Sequence, residues 1–470
     1  MDSFPDGCKT CLRDYGKVNS QLHGSEGGSA KSPFAALYKE LKMCRNRLLF
    51  GALTIGLMIF CLCSPCQAQR TIEVYNPSGQ QPDGVYVDMI LKKIMDETGV
   101  KRPLFAGKFS GQKKERIAIR TDELPEVNEW FYLRGWTDGL PIVPPTEQRV
   151  MEMLKGTDLP ADFVVAGLDP MGGQATVEKI AVNAVMAGCR PEYMPVLITA
   201  VELVARPDFD LKGLATTTNP DVPLMILSGP IVKQLDINSG TNTLGRGWQA
   251  NTSISRALHL IIQNVGGSWP GVTDMSTIGQ PGDIIMMLAE NSEANPWNPL
   301  HMELGHPRAA NVLAVMAAEG THSILGIGQS DEGFLKIVAA HLAGLERPHR
   351  ATMLLIIAQD TAKMLDKKGW TREKVAAFIS DHAKIPFRLY KERYLDTSVL
   401  RKGMPDWVFR VKDPDAMIPS PLIDRLLILV AGGTGEKSTL IPGWYDAGIM
   451  SKEIRLPSNW DELIQQKEIQ

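Results

Sequence analysis

Beyond residue 66 the chain holds a single cysteine, Cys189. A domain with one cysteine closes no disulfide within itself. The other six (Cys8, Cys11, Cys44, Cys61, Cys63 and Cys66) precede residue 70. Cys8-Lys-Thr-Cys11 has the spacing of a redox or zinc half-site, but no second pair and no strand–helix pattern accompany it, so it reads as incidental. An excess of either charge is also missing. With 50 basic and 53 acidic residues the formal net charge is −3, which leaves no electrostatic footprint for nucleic acid and suits a small-molecule site better. Short repeats and low-complexity tracts are absent from the body. What the 470 residues do supply, at 44% apolar and 22% charged, is enough material for a large core and two or three domains.

One apolar stretch stands out, Leu48 to Cys63, interrupted by Gly51, Thr54 and Gly56. Its 16 residues fall short of the roughly 20 that span a bilayer as a helix. Arg45 and Arg47 precede it, and Cys66-Gln-Ala68 offers small residues at the positions a signal peptidase reads. Residues 43–69 therefore read as a signal peptide or signal anchor. The expectation is an exported body, periplasmic or extracellular, or one held outside the cytoplasm by a transmembrane helix, with membrane contact only through residues 48–63. Residues 1–42 are expected to be disordered or untranslated, with Met43 as the start. Residues 70–123 read as a small N-terminal element and linker, 124–450 as the main domain and 451–470 as a C-terminal tail.

Four apolar runs in the body each stop at small and polar residues. Leu224–Leu227 meets Ser228-Gly-Pro, Val312–Met316 meets Ala318-Glu-Gly-Thr-His322, Met353–Ala358 meets Gln359-Asp-Thr361, and Leu426–Val430 meets Gly432-Gly-Thr-Gly-Glu-Lys-Ser438. Continuous apolar runs of this length read as strands buried on both faces of a largely parallel sheet. Helical patterns lie between them, over Ala175–Gly188, Arg190–Val204, Ser253–Gln263, Glu332–Leu345 and Arg372–His382. The fold class expected is α/β, with largely parallel or mixed sheets flanked by helices. A ligand crevice is expected at the strand carboxyl ends, where open sheets of this kind bind.

The loop Asn238 to Asn251 is nearly free of aliphatic residues and ends at a helix N-terminus, a natural seat for an anion. Arg246 adds a forked donor, and Asn238, Ser239, Asn242 and Asn251 are candidate ligand-binding residues. Gly432-Gly433-Thr-Gly-Glu-Lys437-Ser438 departs from a P-loop because Glu436 stands where glycine must precede the lysine. A nest for a smaller anion, or a tight glycine turn, stays open. Cys189 sits between two helices beside Arg190, features that favour a thiolate nucleophile; a buried apolar thiol is the plain alternative. Glu178 and Lys179 on the preceding helix are candidates for the same site. His301-Met-Glu303-Leu-Gly-His306 gathers acid–base and metal-capable groups. On a strand His301 and Glu303 share a face, while Gly305-His306-Pro307 forbids the unbroken helix of a zincin. Glu290 and Glu293 upstream read as added acidic groups or a solvated helix end. His322 and Asp360, at two strand ends, are placed to face a ligand or to cap. No metal is assigned, and the cofactor is unknown.

Trp136-Thr-Asp-Gly-Leu-Pro-Ile-Val-Pro-Pro-Thr146 resembles the opening motif of the UGSC-type proteins, a bacterial family named for a selenocysteine/cysteine-Gly-Ser-Cys motif. Ala175 to Tyr193 is similar to a second block. So are Gly229 to Asn251, Pro296-Trp-Asn-Pro-Leu-His301, Gly369-Trp-Thr-Arg-Glu-Lys-Val375 and Leu429-Val-Ala-Gly-Gly433. The resemblance covers roughly residues 125–450 in order. It implies thiol or selenol redox work, yet no Cys-Gly-Ser-Cys occurs in this chain, so that motif belongs to a partner polypeptide or lies outside the function. The resemblance marks Glu178, Lys179, Asn183, Cys189, Arg190, Asn238, Asn242 and His301 as motif positions. The expected reading is an exported enzyme that acts on a small anionic metabolite. Arg246 and Lys437 hold the anion, Cys189 is the thiolate, and His301 with Glu303 moves protons. A non-catalytic extracytoplasmic binding module, or a docking subunit for a separate thiol or selenol redox protein, stands beside it.

Overall fold

The computed structural model describes residues 70–78, 113–119, 123–345, 350–396, 404–420, 422–444 and 447–469, all within the compact unit Gln69–Gln470. The chain enters through β1 (Arg70–Tyr75) and β2 (Lys114–Ile119), an antiparallel ribbon, followed by α1 (Glu123–Leu133) and α2 (Glu147–Leu154). A second ribbon, β3 (Val164–Leu168) with β4 (Gly173–Thr176), feeds α3 (Val177–Ala187). Thr176 caps α3 by accepting from the Lys179 N–H, and Gly188 ends it in the left-handed conformation. Then come α4 (Met194–Val204), β5 (Val222–Ser228), α5 (Gln249–Ile261), β6 (Met287–Ala289), β7 (Val312–Ala318) and β8 (His322–Leu325). The second half runs α6 (Asp331–Gly344), β9 (Arg350–Ile357), α7 (Gln359–Lys367), α8 (Arg372–His382), β10 (Lys384–Pro386), β11 (Met417–Pro419), β12 (Leu422–Val430), β13 (Lys437–Pro442), β14 (Met450–Glu453) and α9 (Trp460–Ile469).

Two four-stranded sheets, ordered β14-β7-β5-β6 and β12-β9-β13-β8, form the centre. The period-two alternation of each strand divides its side chains between two apolar layers. Leu224, Ile226, Ala314 and Met316 from one sheet meet Leu354, Ile356, Leu427 and Leu429 from the other in a shared core. Their sequence neighbours Met225, Leu227, Leu313 and Val315 pack outward beneath α3, α4 and α5. Met353, Leu355, Ile428 and Val430 pack outward beneath α6, α7 and α8. The result is four layers: helices, sheet, sheet, helices. The apolar runs are continuous because both faces of every central strand are covered.

The expected α/β class with mixed sheets is what the structure has, with no closed barrel among the described strands. A largely parallel arrangement is not. Each sheet holds one parallel pair, β5 with β6 and β9 with β12, and the remaining pairings are antiparallel. Both sheets follow one plan: the parallel pair, then an antiparallel neighbour (β7 or β13), then an edge strand. The edge strands are exchanged, since β8 follows β7 but joins the second sheet, and β14 follows β13 but joins the first. The two crossings touch, with Ala318 bridged to Gly443 and the Glu319 N–H bonded to the Pro442 carbonyl at 3.0 Å. The body is thus two similar halves that swap a strand.

The compact unit passes both expected boundaries of the main domain. Ile72, Val74 and Ile117 on one side, and Ile454 and Trp460 on the other, belong to the same apolar cluster as α3 and α4. The expected linker and C-terminal tail are in part structural strands and a helix. The transmembrane and membrane expectation is also corrected: among the described residues no helix is long and apolar enough to cross a membrane. The stretch 48–63 on which it rested, like the signal segment 43–69 and residues 1–42, lies outside the described residues.

Candidate functional site

The carboxyl ends of β5, β6, β9 and β12 meet at one rim. The Asn291 N–H, just past β6, donates to the Val430 carbonyl at 2.8 Å, and the Gly432 N–H, just past β12, donates to the Ser239 carbonyl at 2.9 Å. Gly229 lets the chain leave β5 there. Its φ is 98°, and a Cβ would lie 2.2 Å from the Ala310 carbonyl oxygen. Two cavities open on this rim. One, of about 390 Å³, is bordered by Lys233, Ser239, Glu290, His301 and Arg308. The other, of about 660 Å³, lies among Thr241–Gly245 and the Gly432–Ser438 loop.

A buried ionic cluster underlies the first cavity. Glu290 follows β6 and is 1% exposed. Its Oε1 accepts from Asn295 Nδ2 at 2.8 Å and from Arg372 Nη2 at 3.2 Å, and its Oε2 accepts from the Leu300 N–H at 2.7 Å. Arg372, 4% exposed, is the first residue of α8; Thr371 caps that helix, and the Arg372 Nη1 bonds Glu303. Burial pushes the Glu290 carboxyl up to about 7 against the pull of Arg372. His301 is 2% exposed and borders the cavity. Its Nε2 lies 3.2 Å from the Arg308 carbonyl, while Nδ1 is buried with no partner among the described residues. Burial lowers its pKa, more than the Arg308 contact raises it, so the ring is neutral at pH 7.

His301 and Glu303 occupy a helical turn, Leu300–Glu303, not a strand, so they do not share a face. Glu303 reaches the site only through Arg372. His306 leaves altogether, with Nε2 2.9 Å from Ser451 Oγ, and no group of three metal-capable side chains occurs among the described residues. Glu293 is an exposed partner of Lys233. Arg372, Arg308 and Lys233 were missed. The signal for Arg372 was an arginine at the first position of an amphipathic helix within the Gly369–Val375 block.

The Asn238–Asn251 loop spends most of its polar atoms on itself. The Asn251 side chain brackets the Asn238 backbone, with N–H to Oδ1 at 2.8 Å and Nδ2 to carbonyl at 3.1 Å. Asn238 in turn bonds Thr241 and Gly240. These two asparagines are a clamp, which corrects their ligand-binding expectation. Asn242 borders the second cavity with Nδ2 on the Arg246 carbonyl, and Arg246 is exposed and borders neither cavity. Gly432, Gly433, Lys437 and Ser438 border the second cavity, and the buried Ser438 Oγ has no partner among the described residues. In that loop the Gly435 N–H is taken by the Asp360 carboxylate at 2.7 Å, which makes Asp360 a cap of the glycine turn. His322 is exposed and lies at the far end of β8. That strand runs toward the rim, so its first residue is remote from it.

Cys189, Glu178 and Lys179 do not form one site. Glu178 and Cys189 lie at opposite ends of α3, about 16 Å apart along the axis. Glu178 pairs with Lys113 at 2.7 Å, and Lys179 Nζ donates to the Gln174 carbonyl at 2.8 Å. Asn183 is buried; its Oδ1 accepts from Asn264, whose Nδ2 also reaches the Trp136 carbonyl, so it is structural. Arg190 begins the turn before α4 and borders neither cavity. The structure goes against the activated-thiolate expectation: burial pushes the Cys189 thiol up to about 12, against the Ser253 side chain and the charge of Arg256, and Sγ donates to the Ser253 carbonyl at 3.2 Å, a bond that only the protonated thiol makes. Its alkylation rate by iodoacetamide should climb with pH through 9 without the plateau that free cysteine shows near its pKa of about 8.5. A plateau near neutrality would restore the nucleophile.

No protein-family model matches this chain, and no curated protein matches it.

Proposed function

We propose that the chain is a UGSC-like protein that binds a small anionic metabolite in the 390 Å³ cavity and acts on it by proton transfer at His301. The observation that carries this reading is a buried, neutral imidazole whose Nδ1 has no partner among the described residues, in a cavity bordered by Arg308 and by the Lys233–Glu293 pair, with Glu290 at its floor. The volume suits a small metabolite. Arg308 supplies the positive charge, since Lys233 is already paired with Glu293; Arg308 Nη2 is tied to Asn298 Oδ1 at 2.6 Å, which orients its fork. A neutral His can accept a proton at pH 7, and the hydrogen-bonded Glu290–Arg372–Glu303 cluster forms a rigid wall at the same cavity. Cys189 has no part in this chemistry.

Succinate, malonate and inorganic phosphate, titrated separately into the purified protein by calorimetry, test the reading. At least one should bind, and Arg308→Ala should weaken that binding about tenfold or more. His301→Gln should leave affinity within about threefold, because the imidazole moves a proton and does not hold the charge. Failure of all three anions to bind, or indifference of binding to Arg308, would overturn it.

A further inference from the structure

The strand exchange makes the two rim cavities counterparts of one another. Read from opposite edges, the sheet orders β14-β7-β5-β6 and β8-β13-β9-β12 match position for position. The first cavity is bordered by the segments that follow β5 and β6 and by Arg308, on the segment that leads into β7. The second is bordered by the segments that follow β9 and β12 and by Lys437, the first residue of β13. Each half of the fold thus builds a cavity at the same place and sets one cation at the entry to its antiparallel strand.

The lining of the second cavity, of about 660 Å³, is its own. Alternation along β13 puts Lys437 and Thr439 on the face of Ile441, toward the core between the sheets, where Ile356 and Ala431 supply an apolar floor. Ser438 shares the opposite face with Leu440 and takes no part. Lys437 is exposed and has no ion pair among the described residues. The carboxylates of the same rim loops are turned to backbone: Asp360 accepts the Gly435 N–H at 2.7 Å and Glu436 the Gly328 N–H at 2.6 Å. Thr241, Thr434 and Thr439 also border the cavity, and no hydrogen bond among the described residues engages their hydroxyls, whereas the Thr243 hydroxyl is spent on the Asn238 carbonyl at 2.8 Å. The two loops meet closely, since a Cβ on Gly433 would lie 2.1 Å from Thr241 Oγ1 and 3.1 Å from Thr241 Cα. No histidine borders this cavity among the described residues, so the proton transfer assigned to His301 has no counterpart here.

We propose that the second cavity is a separate site that holds a small polyhydroxylated carboxylate without converting it. The carboxylate lies against Lys437, the hydroxyls of the ligand bond Thr241, Thr434 and Thr439, and its carbon chain lies on the apolar floor. The site takes its place from the fold and its preference for an anion from the reading of the first cavity, on which that one point rests.

Calorimetry on the full chain with D-gluconate and with sorbitol, open-chain six-carbon polyols with and without a carboxylate, tests the proposal. Gluconate should bind at least about tenfold tighter than sorbitol. Lys437→Ala should abolish that preference, Thr434→Val should weaken gluconate about threefold or more, and Arg308→Ala should leave gluconate binding intact. Lys437 and Thr434 are both exposed, so neither substitution disturbs the core. Equal binding of the two compounds, binding of neither, or a preference that survives Lys437→Ala would overturn the proposal. Loss of gluconate binding in Arg308→Ala would overturn it too, by placing that ligand in the first cavity. Indifference of succinate, malonate and phosphate binding to Arg308 would instead overturn the reading of the first cavity and leave the gluconate comparison standing.

Discussion

Replacing Arg372 with alanine is expected to remove roughly 3–5 kcal/mol of folding stability, because it leaves a buried carboxylate without its cation. Glu290 is held by Asn295, the Leu300 N–H and Arg372, and only the last of these carries charge. Glu303 is a second negative charge on the same guanidinium. With Arg372 gone, two carboxylates face one another across a desolvated gap. The loss should depend on pH in a fixed direction. Glu290 already has a folded-state pKa of about 7 against an ordinary 4.5. Between those values the folded protein holds a proton that the unfolded chain releases, so this group's contribution falls as pH rises through the window. Without Arg372 the folded pKa climbs further, and the fall continues to higher pH. Urea unfolding of R372A should therefore show a larger deficit at about pH 8 than at about pH 5. Adding Glu290→Gln should restore a substantial part of it. A loss below about 1 kcal/mol at both values would mean the pair behaves as a surface salt bridge and the cluster is not a rigid wall.

The layer structure was legible in the sequence, and strand direction was not. A continuous apolar run such as Leu224–Leu227 reports that both faces of a strand are covered, whatever the sense of its neighbours. In this fold a second sheet covers one face, so antiparallel strands carry a pattern usually associated with parallel ones. The consequence at the rim is specific. The polar tips after β5, β6, β9 and β12 converge, while the tip after β7 points away, because Ala318 lies beside Val222 at the start of β5. At the site, His301 and Glu290 were visible as residue types capable of proton transfer. The partner of Glu290, Arg372, lies 82 residues further on, where a charged first residue of a helix reads as a solvated cap. Cys189 was misjudged for a related reason. The adjacent Arg190 suggested a thiolate, but the arginine that acts on the thiol is Arg256 on α5, and burial outweighs it.

Gly443 is the second position where a single atom should matter. Here the chain passes from the second sheet to the first, extending β13 alongside β9 while bridging to Ala318 at the end of β7. A Cβ at this residue would lie 2.1 Å from the Thr352 carbonyl oxygen and 3.4 Å from the Met316 Cε. The first obstacle is backbone, fixed in the centre of a sheet, and no rotamer change relieves it. Either β9 or the crossing strand must shift, and both belong to the core shared by the two sheets. Gly443→Ala is therefore expected to lower stability by about 3 kcal/mol, the upper range for overpacking, read as a fall in the urea midpoint with the slope unchanged. Gly344→Ala, on α6 with open space around its Cβ position, should be neutral or stabilising by up to about 1 kcal/mol. The contrast tests the strand exchange itself. If Gly443→Ala is tolerated as well as Gly344→Ala, the two crossings do not meet as described, and the two halves are not locked together through their exchanged strands.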